Sequence, residues 1–334
     1  MKKIFITGVA GFLGSHIADY FLAQGHKVAG CDNLFGGVID NVDPRVEFYH
    51  HDITKLDGYA EIMAGCDVIY HTAAAAYEGV SLFAPGFICE NIFTGSVNTF
   101  TAAIQANATR IVYCSSMARY GTNETPFLER YEPRPQDPYG IAKEAAERVL
   151  INLCETHGLE YVIAVPHSIY GPRQKYDDPY RNVASIMANL MLQGRAPIIY
   201  GDGEQRRCFS YITDCVGILA AMATEESVVG EIINIGPDEE FISVNELAAK
   251  LANITGCNLA PIYMPDRPRE VKMATCSADK ARRILGYETK VFIDDGLKEL
   301  VNWITTQGHK PFGYHFDVEI KNHLLPQTWR DRLF

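Results

Sequence analysis

The feature that most constrains this chain is its opening. The apolar run Ile4-Phe5-Ile6-Thr7 leads into Gly8, Gly11 and Gly14, and Phe12 to Gln24 then reads as a helix. A strand that turns through spaced glycines into a helix is the context that a dinucleotide-binding motif requires. Gly8 permits the tight turn, Gly11 lets the backbone approach a pyrophosphate, and Gly14 lets the helix pack on the sheet. Free N–H groups at the helix N-terminus then face the phosphates. Short glycine-rich turns are common, so the motif needs company. Asp32 provides it, about twenty residues on, at the end of a second apolar run from Lys27 to Cys31. A carboxylate there accepts hydrogen bonds from an adenosine ribose 2′-hydroxyl and repels a 2′-phosphate. No Arg or Lys follows within Asn33-Leu34-Phe35-Gly36-Gly37, so the cofactor reads as NAD rather than NADP.

Apolar runs ending at Asp32, Asp52, His71 and Ser115 alternate with helical patterns, one of them long, from about Cys89 to Ala106. Glu160 to Val165 reads as a further buried strand. This alternation predicts an α/β fold, a Rossmann-type doubly wound parallel sheet with helices on both faces. Ligands then belong at the carboxyl ends of the strands, where Gly8, Asp32, Asp52, His71 and Ser116 all fall. Beyond Pro166 the pattern is less regular, with turns at Gly171-Pro172, Asp177-Asp178-Pro179 and Gly201-Asp202-Gly203. A strand-like run, Glu231 to Ile235, and helices near Val244–Ala252 and Ala278–Leu285 follow. The expected division is an NAD-binding domain over 1–165 with returns near 208–236, and a smaller, discontinuous α/β substrate domain over 166–207 and 237–307. A C-terminal tail, 308–334, is expected to pack on the surface.

At 334 residues the chain is long enough for one large domain and a smaller one. Its 47% hydrophobic and 21% charged residues are those of a soluble globular enzyme. A net charge of −11 and the lack of a basic patch argue against nucleic acid as a partner. The nine cysteines are scattered without a Cys-x-x-Cys pair, so neither a disulfide framework nor a metal site is indicated, and a reducing cytoplasm is expected. Met-Lys-Lys runs at once into a strand, unlike a signal peptide. No apolar stretch reaches the ~18 residues of a membrane span.

Ser116, Tyr139 and Lys143 supply a hydroxyl, a phenol and an ammonium suited to moving a proton beside a hydride acceptor. Tyr139 and Lys143 are four apart and so share one helical face. A phenol normally titrates near ~10 and is a poor base at neutral pH. A neighbouring ammonium and a positive nicotinamide ring favour the phenolate, which predicts a lowered value for Tyr139. Ser116 is placed to hydrogen-bond the substrate oxygen and share the proton path. Tyr-x-x-x-Lys alone is an ordinary helix pattern; behind the glycines, Asp32 and a strand-end Ser116 it argues for a nicotinamide-dependent enzyme.

With these residues in place the chain resembles the extended short-chain dehydrogenase/reductase family, and within it the nucleotide-sugar epimerases and dehydratases. The resemblance runs over nearly the whole length. It is carried by Gly8 to Gly14, Asp32-Asn33, Asp52-Ile53, His71 to Ala74, Asn91 to Gly95, Cys114 to Gly121, Tyr139 to Lys143, Tyr170 to Arg173, Gly201 to Gln205 and Arg207 to Asp214. It implies that Phe12, Leu13, Asn33 and Ile53 line the cofactor, with Asp52 on the adenine. Thr72, Ala73, Ala74 and Asn91 would lie along the cofactor too. It implies that Asn182 and Val183 meet the nucleotide base, and that Arg207 and Arg267 clamp the diphosphate. Guanidinium forks suit phosphate oxygens, and an acidic protein that binds an anion must gather its cations locally. The resemblance also implies a homodimer that pairs the helices Asn91–Ala106 and Tyr139–Thr156.

Two departures bear on the reaction. Where dehydratases of this group carry an Asp-Glu pair after the catalytic hydroxyl, this chain has Met117 and Ala118, which transfer no protons. Plain epimerisation is therefore favoured over elimination. Ser168 stands where the family usually has Asn against the substrate phosphate. Ala274, counted forward from Arg267, is expected to be a small residue beside the sugar that leaves room for an N-acetyl group. The reading reached from sequence is C4 epimerisation of a UDP-hexose or UDP-N-acetylhexosamine through a 4-keto intermediate; the alternative is a dehydratase or decarboxylase on the same scaffold.

Overall fold

The computed structural model describes residues 1–334. Six strands follow one another along the first half: β1 (Lys3–Thr7), β2 (Lys27–Asp32), β3 (Glu47–His50), β4 (Val68–His71), β5 (Arg110–Cys114) and β6 (Glu160–Pro166). A seventh, Ile232–Ile235, returns to pair with β6. The sheet order is seventh–β6–β5–β4–β1–β2–β3, all parallel. The direction of crossover reverses between β1 and β4, which opens the crevice a doubly wound sheet offers to a ligand.

Residue alternation along each strand builds two cores. Ile4, Ile6, Val28, Val68, Tyr70, Val112 and Val162 pack on one face against α1 (Phe12–Ala23), through Ile17 and Phe21. Phe5, Ala29, Ile69, Ile111, Tyr113 and Ile163 turn to the other face. There they meet Phe100 and Ala103 from α4 (Gly95–Gln105), and Ala146 and Leu150 from α5 (Pro138–His157). Between β3 and α4 lie two short helices, α2 (Tyr59–Ile62) and α3 (Pro85–Cys89).

The long helix expected from Cys89 to Ala106 is not regular. A π-helical turn, Glu90–Thr94, separates α3 from α4 and carries Asn91. Such turns recur at functional sites, and apolar periodicity does not reveal them. α5 starts as its sequence directs. Asp137 accepts the Gly140 N–H at 2.8 Å, Pro138 occupies the first turn, and Gly158 ends the helix at φ +74°.

Beyond β6 a third core forms among the helices Val183–Leu192, Val244–Thr255 and Ile293–Gln307, through Met187, Met191, Leu247, Leu251, Leu297 and Leu300. Beside it, Phe241–Ser243, Arg206–Cys208 and Met273–Ala274 form a three-stranded sheet with Arg206–Cys208 in the middle. The tail does more than cover surface. Trp329 is buried, its ring 5.5 Å from that of Tyr180, and Phe334 reaches the cleft described below. No helix is long and apolar enough to cross a membrane.

Candidate active site

At the carboxyl end of the sheet lies a cleft of about 530 Å³, walled on one side by the glycine turn and on the other by the Arg207 and Arg267 segments. The turn is as tight as glycine permits. Gly8 sits at φ +71°, and a Cβ on Gly14 would stand 2.2 Å from the Gly8 carbonyl oxygen. Gly11 donates its N–H to that same oxygen at 2.9 Å. At the end of β2, the Asp32 carboxylate accepts the N–H groups of Ala10 and Leu34 at 3.1 and 2.8 Å. Burial pushes its carboxyl above the usual range. A carboxylate accepts about four hydrogen bonds, so two bonds leave lone pairs for a ribose. A cradle closed to any Cβ, with an acceptor at its rim, fits an adenine dinucleotide.

Phe12, Leu13, Asn33, Ile53, Thr72, Ala73, Ala74 and Asn91 line the same cleft. Thr72 is anchored by its hydroxyl on the Thr7 carbonyl at 2.6 Å, and Asn91 by its amide on the Phe87 carbonyl at 2.9 Å. Asp52 stands back: its carboxylate accepts the Thr54 N–H at 2.9 Å, and it is not among the lining residues.

Ser116, Tyr139 and Lys143 all reach the cleft. Burial pushes the Tyr139 phenol well above its ordinary value, and the carboxylates of Glu78 and Asp137 add to that push. The Ser116 hydroxyl and the Arg181 guanidinium pull the other way. This differs from the lowering expected from sequence. Burial is the main reason, and the Lys143 ammonium donates to the Cys114 carbonyl at 2.7 Å rather than to the phenol. Burial lowers Lys143 to about 8.

Ser168, Met117, Asn182 and Val183 also line the cleft. Ser168 holds φ +45°, a left-handed conformation that Asn adopts more readily than Ser. Ser168→Asn is therefore expected to raise stability by about 0.5 kcal/mol, read as a small upward shift of the thermal midpoint. Asn182 caps its helix by accepting the Ala184 N–H at 2.9 Å. Arg207 and Arg267 converge on one carboxylate, Glu270, at 3.5 and 2.6 Å.

Ala274 is misplaced by the sequence reading. It pairs with Arg207 in the three-stranded sheet, is 3% exposed, and packs in the core with Phe127 and Cys276 behind the wall. Val271 lines the cleft instead. Ala274→Tyr is thus expected to overpack that core, at a cost of about 1–3 kcal/mol or more. Activity on every sugar should fall together with the thermal midpoint.

Among the lining residues outside the motifs are Glu78, Asp137, Arg181 and Glu270. Arg181 stacks 4.5 Å over the Tyr77 ring and hydrogen-bonds its hydroxyl at 3.2 Å. A Cβ on Gly36 would meet its guanidinium at 2.3 Å, so Arg181 bridges the loop after β2 to the opposite wall. Asp137 was readable as a helix cap before Pro138; Glu78 and Glu270 carry no local signal. His167 is a packed core histidine, bonded to the Pro237 carbonyl at 2.9 Å, and burial lowers its pKa.

Fold and cleft together define a nucleotide-binding enzyme of the doubly wound class. The sequence profile of the NAD-dependent epimerase/dehydratase family matches residues 4–236, and the chain belongs to that family. NAD is its cofactor. The chain is 30% identical over 312 residues to a UDP-glucose 4-epimerase of Mycolicibacterium smegmatis, covering 90% of this chain and 98% of that one. It is 29% identical over 317 residues to a UDP-N-acetyl-alpha-D-glucosaminuronate decarboxylase of Bacillus cytotoxicus, covering 90% and 97%. The crystal structure of a UDP-glucose 4-epimerase with UDP-glucose from Thermotoga maritima superposes with a TM-score of 0.87 at 31% identity, covering 91% of this chain and 99% of that one.

Proposed function

We propose that this chain is an NAD-dependent nucleotide-sugar 4-epimerase acting on a UDP-hexose or UDP-N-acetylhexosamine. The observation that carries the reading is the composition of the cleft around the phenol. Ser116 and Tyr139 face each other there, and the residues that follow Ser116 are Met117 and Ala118. Tyr139, which the positive charge of a bound nicotinamide ring would favour as the phenolate, takes the proton of the sugar 4-hydroxyl with the assistance of Ser116, and returns it once the ring has turned. NAD supplies a hydride acceptor and donor at carbon 4, so the keto sugar is regenerated as an alcohol within one active site. Lys143 holds the ribose beside the phenol. Arg207 and Arg267 exchange Glu270 for the diphosphate, and so keep the sugar tethered while it rotates. Ser168 adds one hydrogen bond to the phosphates, and Asn182 and Val183 face the base.

In this reading residues 1–165 and the return near 208–236 hold the cofactor, and 166–207 with 237–307 hold the substrate. The similarity to a decarboxylase favours a second reading, in which the same first oxidation leads to loss of carbon dioxide from a uronate. Product analysis separates them. Incubation with UDP-sugars should leave the mass unchanged and yield a new anomeric proton signal; loss of 18 or 44 mass units would assign elimination or decarboxylation instead (roughly the masses of water and carbon dioxide). A homodimer through α4 and α5 belongs to the same proposal, with Ile141 exposed on α5 as part of the seam. Sedimentation of Ile141→Glu should then show more monomer than the wild type.

A further inference from the structure

One carboxylate in the cleft has no partner. Glu78 follows the loop after β4, and its backbone carbonyl is held by the Ser81 hydroxyl at 2.6 Å. Ser81 also reaches Asp137 at 3.5 Å, which ties this turn to the N-terminus of α5. The neighbouring charged groups are engaged. Asp137 caps α5, Glu270 binds both arginines, and Arg181 is paired with Asp178 and Tyr77. Glu78 is exposed and lines the cleft, and its carboxylate makes no ion pair or side-chain hydrogen bond, which leaves it free for a ligand.

Its position is fixed from several directions. Its charge is felt at the Tyr139 phenol, at Arg207 and at Arg267. Gly79, the next residue, lies so close to Arg267 that a Cβ would stand 3.1 Å from the guanidinium. Glu78 therefore lies near both the group that takes the proton and the groups that take the diphosphate. In a nucleotide sugar the interval between those groups is occupied by the hexose ring.

We propose that Glu78 selects the sugar: its carboxylate accepts hydrogen bonds from hydroxyl or amide N–H groups of the hexose and excludes sugars that themselves carry a carboxylate. This rests on the nucleotide-sugar reading above and narrows it. The substrate is a neutral hexose or N-acetylhexosamine, not a hexuronate, so both uronate epimerisation and uronate decarboxylation fall away. The physical basis is asymmetric. A carboxylate that a bound sugar cuts off from water gains a charge-assisted bond where it meets a donor, whereas one that meets a second anion is repelled in a medium that screens poorly. The charged groups around Glu78 divide in sign. Asp137 and Glu270 oppose its ionisation, and Arg207 and Arg267 favour it. Desolvation by the cleft walls prevails and, with Asp137, raises its carboxyl to about 7. It is charged above that pH and neutral below, so exclusion of uronates should be strong at pH 8 and fade towards pH 6.

The test is binding, which does not depend on which reaction follows. Calorimetry on NAD-loaded protein compares UDP-glucose with UDP-glucuronate between pH 6 and pH 8.5 (a range set on either side of roughly 7). The wild type should prefer UDP-glucose by about tenfold or more at pH 8 and by less at pH 6. Glu78→Gln should reduce the preference about tenfold at pH 8 and make it independent of pH. Glu78→Asp, which keeps the charge, should retain both the preference and its pH dependence. A wild type that binds UDP-glucuronate as tightly as UDP-glucose, or a preference that survives Glu78→Gln, overturns the proposal while leaving the nucleotide-sugar reading intact. Failure of every UDP-sugar to bind the wild type overturns that reading and the proposal with it.

Discussion

Tyr139→Phe is expected to lower kcat about a thousandfold while NAD content and UDP-sugar affinity stay near those of the wild type. The substitution removes one oxygen from a buried ring and leaves its packing against Ala118 and Ala142 in place. What is lost is the only phenol among the lining residues that shares the Ser116 hydroxyl. Tyr180 and Tyr200 also line the cleft, but the Tyr200 hydroxyl is engaged with Thr328 and neither phenol shares the Ser116 hydroxyl. Turnover of a UDP-sugar followed by proton NMR, with NAD released by denaturation and quantified, separates this outcome from misfolding. Retention of a tenth or more of the wild-type kcat would remove Tyr139 from the proton path.

Lys143 adds a pH signature to the same site. With its pKa lowered to about 8, the ammonium is present below that pH and lost above it. kcat/KM is therefore expected to decline above about pH 8, and Lys143→Met should be slow and lack that alkaline limb. The sign for stability is opposite. An unfolded lysine near 10.5 holds more protons than the folded one between about 8 and 10.5, so this group makes the fold gain stability as pH rises through that window.

The parts of the site legible in the sequence are those whose chemistry is local. Gly8, Gly11 and Gly14 declare a tight turn because a few consecutive residues determine it. Tyr139 and Lys143 declare a shared face because a helix repeats every 3.6 residues. Asp32 is readable because a strand end is. Glu78, Arg181 and Glu270 take their place in the site through partners distant in sequence, Tyr139 for Glu78, Tyr77 for Arg181 and Arg207 for Glu270, and nothing beside them marks the meeting. The phenol's raised pKa was hidden for the same reason, since it depends first on burial in the folded cleft and then on the carboxylates of Glu78 and Asp137. Ala274 was misjudged because a single residue in a two-residue strand faces either way until its partner, Arg207, is known.

Arg119→Ala is expected to cost about 3–5 kcal/mol and to disable the site along with the fold. Arg119 and Glu147 form an ion pair at 2.9 Å in which both side chains are 4% exposed. Ser115, next to the proposed catalytic hydroxyl, also donates to Glu147. Glu147 in turn lies one turn beyond Lys143 on α5, so the pair joins the end of β5 to the helix that carries Tyr139. Burial still leaves the Glu147 carboxyl above its usual range despite the guanidinium. The pair as a whole therefore adds little over an apolar one, while losing either partner strands a charge without water. This asymmetry makes a distinctive pattern. Arg119→Ala and Glu147→Ala should each lower the thermal midpoint sharply, whereas the double replacement Arg119→Met with Glu147→Leu should recover most of it. Stability recovered without activity would then show that the pair positions Ser116 and Tyr139 relative to each other, a role no apolar contact reproduces. Additive losses in the double variant would instead mean that the two charges act separately.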